Sequence, residues 1–340
     1  MQIYPVIFPF IISLLFLSIC KNKNILLDKK IEKHKKFTSI QENYSIGGVL
    51  IYINILYYHF FYSNLEITTL LFLSSIFFLG LSSDLRILNN PKIRFLLQCL
   101  MLFIFVSLIE LKIPNTRIAF FDTLLNNLYF NVFFTVFCLM ILINGSNFMD
   151  GLNTLLISYN IIIYLIIILF FNQNLFDIEF LKYLVMTLFV LLFFNFNGKI
   201  ILGDSGSYLL SLFSGFLLIN FAYFNSAISP YFVILLLWYP CYELLFSMIR
   251  RLILKKTMYE PDVYHFHQLL FSFIERKFGL SRNLSHLMVS TIINFYNLII
   301  IMIGLNFAYQ TNKLIFILLI NVTFYSVFYV WLKKIKKINL

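Results

Sequence analysis

The chain has 340 residues, of which 61% are hydrophobic, 19% aromatic and only 12% charged, with a mean hydropathy of +0.87. A soluble domain carries about 25% charged residues, and so little polar surface cannot cover a water-facing fold, which excludes a soluble globular protein. The net charge of +11 at pH 7 does not point to nucleic acid, because the basic residues sit beside apolar stretches.

A membrane-crossing helix needs about 20 apolar residues. Eleven windows answer to that: 2–20, 46–62, 67–83, 93–110, 127–143, 154–171, 180–196, 208–224, 229–249, 285–307 and 313–332. The expected fold class is all-α, a polytopic membrane protein with about eleven transmembrane helices. No internal repeat and no separate soluble domain is visible, so 1–340 reads as one integral membrane domain. Cys20, Cys99, Cys138 and Cys241 lie in apolar stretches and read as small hydrophobes rather than disulfides or zinc ligands.

Nothing basic precedes the first window, and Lys21, Lys23, Lys29, Lys30, Lys33, Lys35 and Lys36 follow it. Basic residues favour the cytoplasmic side, which places the N-terminus outside, and eleven spans then place the C-terminus in the cytoplasm. The cytoplasmic segments become 21–45, 84–92, 144–153, 197–207, 250–284 and 333–340. Of the 26 Lys and Arg, only Lys112, Arg117, Lys182 and Lys313 fall on the other side. The segment 250–284 is basic and partly amphipathic, which suits the membrane surface.

The polar clusters fall in these same segments. In chain order they are Ser83-Asp84, followed by Arg94; Asn144, Asn147 and Asp150 with Gly151; Gly203-Asp204-Ser205-Gly206-Ser207; and Asp262 with His265 and His267. Asp84, Asp150 and Asp204, far apart in sequence, reach one face. Three carboxylates there suit a hard divalent cation such as Mg²⁺, which takes one or two carboxylates and completes its shell with water and phosphate oxygens. Asn144, Asn147 and Asp150 are spaced by three and share a face in a helical turn. The windows after Asp150 and after Asp204 both start at this face, so their N-termini would offer N–H groups to phosphate. His265 and His267 are two apart and point the same way in an extended loop. With Arg250, Arg251, Lys255 and Lys256 nearby they suit an anion, and zinc lacks a third ligand. Glu243 falls inside the ninth window, where a carboxylate needs a partner or a polar cavity. It either shapes the site or stabilises helix packing.

These motifs, in this order, resemble the polyprenyl-phosphate N-acetylhexosamine-1-phosphate transferase family, the glycosyltransferase family 4 type related to phospho-N-acetylmuramoyl-pentapeptide transferase. The residues that carry the resemblance are Gly47-Gly48, the Asp84 loop with Arg94, Asn147-x-x-Asp150-Gly151, Gly203-Asp204-x-Gly206-Ser207, and Arg250-Arg251 with Asp262-x-x-His265-x-His267. The resemblance implies that a polyprenyl (undecaprenyl) phosphate attacks the β-phosphorus of a UDP-N-acetylhexosamine, releasing UMP, with Mg²⁺ (or Mn²⁺) as cofactor. It implies catalytic roles for Asp84, Asp204, His265 and His267. It implies substrate contacts for Asn147, Asp150, Arg94, Arg251, Gly203 and Ser207, and metal contacts for Asp204, Asp84 and Asn147. A multi-pass inner-membrane location with a cytoplasmic site, a role in starting cell-envelope glycans, and a homodimer are compatible with it. The chain departs from the pattern at Ser83, where the family has a second aspartate, at Asn153-Thr154, where it has Asp-Gly, and at Gln268, where it has His. The proline-rich approach to the double glycine is also absent. Two rival readings remain, a transporter or flippase of lipid-linked sugars and a catalytically inactive homologue.

Overall fold

The computed structural model describes residues 4–23, 25–26, 44–62, 66–171, 178–257 and 262–338. Most of the first basic loop, with Lys29, Lys30, Lys33, Lys35 and Lys36, and Pro261 lie outside the described residues.

Thirteen helices make up the fold among the described residues: α1 (Tyr4–Lys23), α2 (Gly47–Phe61), α3 (Ile67–Asp84), α4 (Pro91–Leu108), α5 (Ala119–Leu125), α6 (Leu128–Met149), α7 (Leu155–Phe170), α8 (Ile178–Phe196), α9 (Gly203–Phe224), α10 (Pro230–Ile253), α11 (Phe266–Phe278), α12 (Arg282–Leu305) and α13 (Thr311–Ile338). The only β feature described is a single parallel bridge between Tyr44 and Ile200. Eight helices, α3, α4, α6, α8, α9, α10, α12 and α13, are long and apolar enough to cross a membrane, while α2 and α7 are shorter apolar helices. An all-helical fold with this many apolar helices is that of a polytopic membrane protein.

Local sequence explains where several helices start. Asn90 accepts a hydrogen bond from the Lys92 amide and Pro91 occupies the first position of α4, where its missing N–H is no loss. Ser229 and Pro230 repeat that device at α10. Asn127 caps α6 through the Phe130 amide. Gly279 closes α11 in the left-handed conformation at φ 59°.

The inner ends differ from the hydropathy windows. α6 continues to Met149, so Asn144 and Asn147 are helical rather than in a loop. α9 begins at Gly203, so the Gly-Asp-Ser-Gly-Ser run is its first turn and not a flexible approach to it. Ser83 and Asp84 form the last turn of α3. The segment 250–284 contains a helix of its own, the amphipathic α11.

Of the long helices α9 is the most buried, and α4 and α13 are the least. α9 packs against α2, α3 and α6. A side chain at Gly48 would sit 2.3 Å from the Gly206 amide, and one at Gly80 2.5 Å from Ser205 Cα, so both positions need glycine for the backbones to meet. The Gly47 and Gly48 amides donate to the Ile201 and Leu202 carbonyls at 3.0 Å, which ties the start of α2 to the start of α9.

Candidate active site

The first turn of α9 gathers three aspartates. Asp84, at the end of α3, accepts the Asp204 amide on Oδ1 at 2.8 Å and the Ser205 amide on Oδ2 at 3.0 Å, with the Ser205 hydroxyl donating to Oδ2 at 2.6 Å. It therefore caps α9 from another helix, in the place an N-cap side chain usually takes. Asp150, at the end of α6, accepts the Gly203 amide at 3.1 Å. Two carboxylates at one helix N-terminus are favoured by the positive end of the helix dipole. Gly203 is at φ +73°, and a side chain there would lie 2.7 Å from Asp84 Oδ2. Both the backbone and the space demand glycine.

The third aspartate, Asp204, faces the ends of α3 and α4. Its Oδ2 accepts the Ser83 hydroxyl at 2.6 Å and the Arg94 guanidinium at 2.5 Å. Arg94 also donates to the Ser83 hydroxyl oxygen. Asn147 Oδ1 accepts the Ser207 hydroxyl at 2.9 Å, joining α6 to the second half of the same turn. Thus Asp84, Arg94, Asn147, Asp150, Gly203, Asp204 and Ser207 are brought into one cluster.

The expected open helix N-termini are occupied. The α9 amides are held by Asp84 and Asp150. At the α6–α7 turn, the Asn153 amide donates to His286 Nδ1 at 3.1 Å and the Thr154 amide to Asn195 Oδ1 at 2.5 Å. Ser290 adds a hydrogen bond to the Asn153 carbonyl at 2.7 Å. Sequence reasoning did not single out Asn195, His286 or Ser290, because nothing local connects them to partners on other helices.

The histidines form a second cluster beside the first. His265 is the N-cap residue of α11 and His267 lies in its first turn. Their rings are parallel with centroids 5.6 Å apart. The His265 ring lies 4.4 Å from that of Phe148, between Asn147 and Asp150. A side chain at Gly151 would make ordinary contact with His267 Nε2 at 3.7 Å, so the second cluster borders this turn. His267 is fully buried. Burial pushes its imidazole down to about 4, against the opposing pull of Glu243, so it is neutral near pH 7.

Arg251 is turned into the fold. It is buried, pairs with Asp262 at 3.4 Å and donates to the Thr257 carbonyl at 3.0 Å. Arg250 pairs with the same Asp262 oxygen and donates to the Tyr264 carbonyl at 3.0 Å. Burial alone would raise the Asp262 carboxyl, but His265, Arg250, Arg251 and the Tyr264 amide outweigh it and hold it below its usual range. This knot anchors the histidine segment to the end of α10.

A hard cation fits the chemistry of the first cluster, whose donors are carboxylate and amide oxygens. No group of three or more His, Cys, Asp or Glu side chains is arranged to chelate a metal among the described residues. Asp84 has both oxygens engaged by α9, whereas Asp204 Oδ1 carries none of the described hydrogen bonds. The fit is to an ion held by few protein oxygens and completed by substrate phosphates.

Helix ends, carboxylates and histidines thus gather at one end of an apolar bundle. The glycosyl transferase family 4 model matches residues 67–222, from the start of α3 nearly to the end of α9. The undecaprenyl-phosphate alpha-N-acetylglucosaminyl 1-phosphate transferase of Thermotoga maritima is 26% identical over 240 residues, spanning 69% of this chain and 68% of that protein.

Proposed function

We propose that this protein transfers N-acetylhexosamine-1-phosphate from a UDP-sugar to undecaprenyl phosphate at the cytoplasmic membrane surface, with UMP leaving, as a first step of cell-envelope glycan synthesis. The observation that carries this reading is the convergence of Asp84, Asp150 and Asp204 on the first turn of α9, inside the segment that matches the family. The order of motifs and the Thermotoga relative support it.

The donor is a diphosphate, so charge neutralisation is the main catalytic task. A lipid phosphate has its second pKa near 6 and is largely dianionic at neutral pH, so attack needs little help from a base. Asp204 would hold Mg²⁺ through Oδ1, with Asn147 beside it. When bound, the ion would withdraw charge from the diphosphate and the departing UMP. Asp84 keeps the α9 turn in place, so Asp204 and Ser207 face a fixed point. Arg94 balances the Asp204 charge while no substrate is present. His265 and His267, across Phe148, supply the groups nearest a phosphate at the Asn147–Gly151 turn.

Ser83 does not prevent this chemistry, since its hydroxyl still orients Asp204. Transporters place their polar groups near the bilayer midplane, whereas these collect at one end of the helices. The test is UMP release by the purified protein given undecaprenyl phosphate, Mg²⁺ or Mn²⁺, and a panel of UDP-N-acetylhexosamines. Asp204→Asn should lower kcat by about 100-fold or more, in the range of losing a main charge-stabilising group. Full activity in that variant, or no UMP with any donor, would overturn the reading. Movement of a preformed lipid-linked sugar across vesicles would favour the transporter.

A further inference from the structure

Glu243 sits in α10 and is 1% exposed. A carboxylate in such a place is stable only when its oxygens are satisfied. Here both are. Oε1 lies 3.0 Å from His265 Nδ1 and accepts the Phe266 amide at 3.2 Å, and Oε2 accepts the Tyr325 hydroxyl at 2.6 Å. Three separate elements meet there: α10 through Glu243, the start of α11 through His265 and Phe266, and α13 through Tyr325.

The Phe266 amide decides the orientation. It is a donor only, so Oε1 must act as an acceptor, and the same oxygen faces Nδ1. With both oxygens accepting, the group is an ionised carboxylate with no proton to give, and Nδ1 carries the proton of this contact. On the other side, the His265 ring lies against Phe148 and alongside His267, at the edge of the Asn147–Gly151 turn.

We infer that Glu243, held by Tyr325, is a positioning residue that keeps a proton on His265 Nδ1 and turns Nε2 towards the substrate, where Nε2 donates to a phosphate oxygen when the ring takes up its second proton. This rests on the proposed phosphate-binding role of His265. Glu243 itself touches no substrate; it acts through the histidine. Carboxylate partners play the same part for histidines in metal sites, where their loss typically lowers activity by about 10–100-fold.

Two measurements test this. The first is nitrogen NMR of ¹⁵N-histidine-labelled protein in nanodiscs, with the His265 signals assigned by subtracting the spectrum of His265→Asn. Wild type should show protonated Nδ1 at His265, and Nε2–H as the sole protonated nitrogen would overturn the inference. This result does not depend on the reaction, so it stands apart from failure of the transferase reading, which would show as absent UMP release by wild type. The second compares Glu243→Ala with Glu243→Gln. The glutamine carbonyl can still accept from Nδ1 and Phe266, with its amide turned to the Tyr325 oxygen. Glu243→Ala should lose the Nδ1 preference and about 10-fold or more in kcat, with KM for the UDP-sugar within about 2-fold. Glu243→Gln should retain the Nδ1 proton and most of kcat. Loss of kcat in both variants to the same extent, or an unchanged kcat per folded molecule in Glu243→Ala, would overturn it. If Glu243→Ala does not fold, the glutamine variant and the wild-type spectrum still decide.

Discussion

Ser83 shows how one side chain alters the charge balance of the site. With serine at this position a single carboxylate, Asp204, meets a single guanidinium, Arg94, and the hydroxyl bridges to the same oxygen. An aspartate there would set two negative groups against one positive. Thr154 is the second informative position. It adopts φ 68° and ψ −19°, the left-handed region, which is unusual for any β-branched residue. The family pattern has glycine there, and the geometry gives the reason: the turn between α6 and α7 needs a positive φ whichever residue occupies it. Its amide bond to Asn195 and the Asn153 bonds to His286 and Ser290 hold the turn against that strain. A residue forced into this region costs about 1–3 kcal/mol. Thr154→Gly should therefore stabilise the protein by about 1 kcal/mol, part of the relief being offset by the greater freedom of the unfolded glycine chain. A thermal melt in detergent should show a higher midpoint, and a lower one would mean the threonine side chain contributes more than the turn loses.

At the scale of elements, hydropathy located helices in all eleven windows but misjudged their inner ends. A window stops at the first run of polar residues, at 143 before Asn144 and at 208 after Ser207, whereas α6 and α9 continue through them. The backbone can do so because those polar side chains find partners on other helices, such as Asn147 with Ser207. The capping of α9 by Asp84 joins residues 120 apart, and no local signal predicts it. The cluster residues could be named from their motifs; which of them are engaged in holding helices could not. α11 was legible only as an amphipathic stretch, and its burial of His267 was not legible at all. That burial has a measurable effect. His267 is neutral in the fold with its value lowered to about 4, while in the unfolded chain it titrates near 6.5. Between these values the unfolded state binds the extra proton, so stability is full above about pH 6.5 and falls as pH drops towards 4. The slope is about 1.4 kcal/mol per pH unit inside that window. Asp262, held low, loses its contribution only at more acidic pH, as the pH falls through its lowered value. Melts of wild type and His267→Gln across pH 4–6.5 should diverge, with the variant flatter. Parallel curves would mean the ring is protonated in the fold.

For the molecule as a whole, the contacts at the end that holds the aspartate cluster constrain how the helices run. The end of α1 lies near the start of α2, since the Ser45 amide donates to the Leu26 carbonyl at 3.0 Å. The start of α2 touches the start of α9 through Gly47 and Gly48, and the end of α3 and the start of α4 reach the same turn through Asp84 and Arg94. The end of α6 joins through Asp150, and the start of α7 meets the end of α8 through Thr154 and Asn195. The start of α12 meets the α6–α7 turn through His286 and Asn153, and the ends of α10 and α13 meet through Arg250 and Tyr329. Starts and ends alternate along the chain, so even α2 and α7, with 15 and 16 residues, each run the reverse of their neighbours. Helices of that length fall short of a bilayer core of about 30 Å, and local thinning or the packing around them must accommodate the difference. If all eleven of these helices cross, the alternation puts the two termini on opposite sides. On the positive-inside rule, the placement of basic residues would then put the end that holds the aspartate cluster in the cytoplasm. Fusions of a reporter active only in the cytoplasm should therefore work after Lys199 and at the C-terminus. A reporter active only after export should work when placed near Asn115, between α4 and α5. The same reporter active at both Asn115 and the C-terminus would show that one of the short helices does not cross, and would separate the aspartate cluster from the basic face on which the proposed reaction depends.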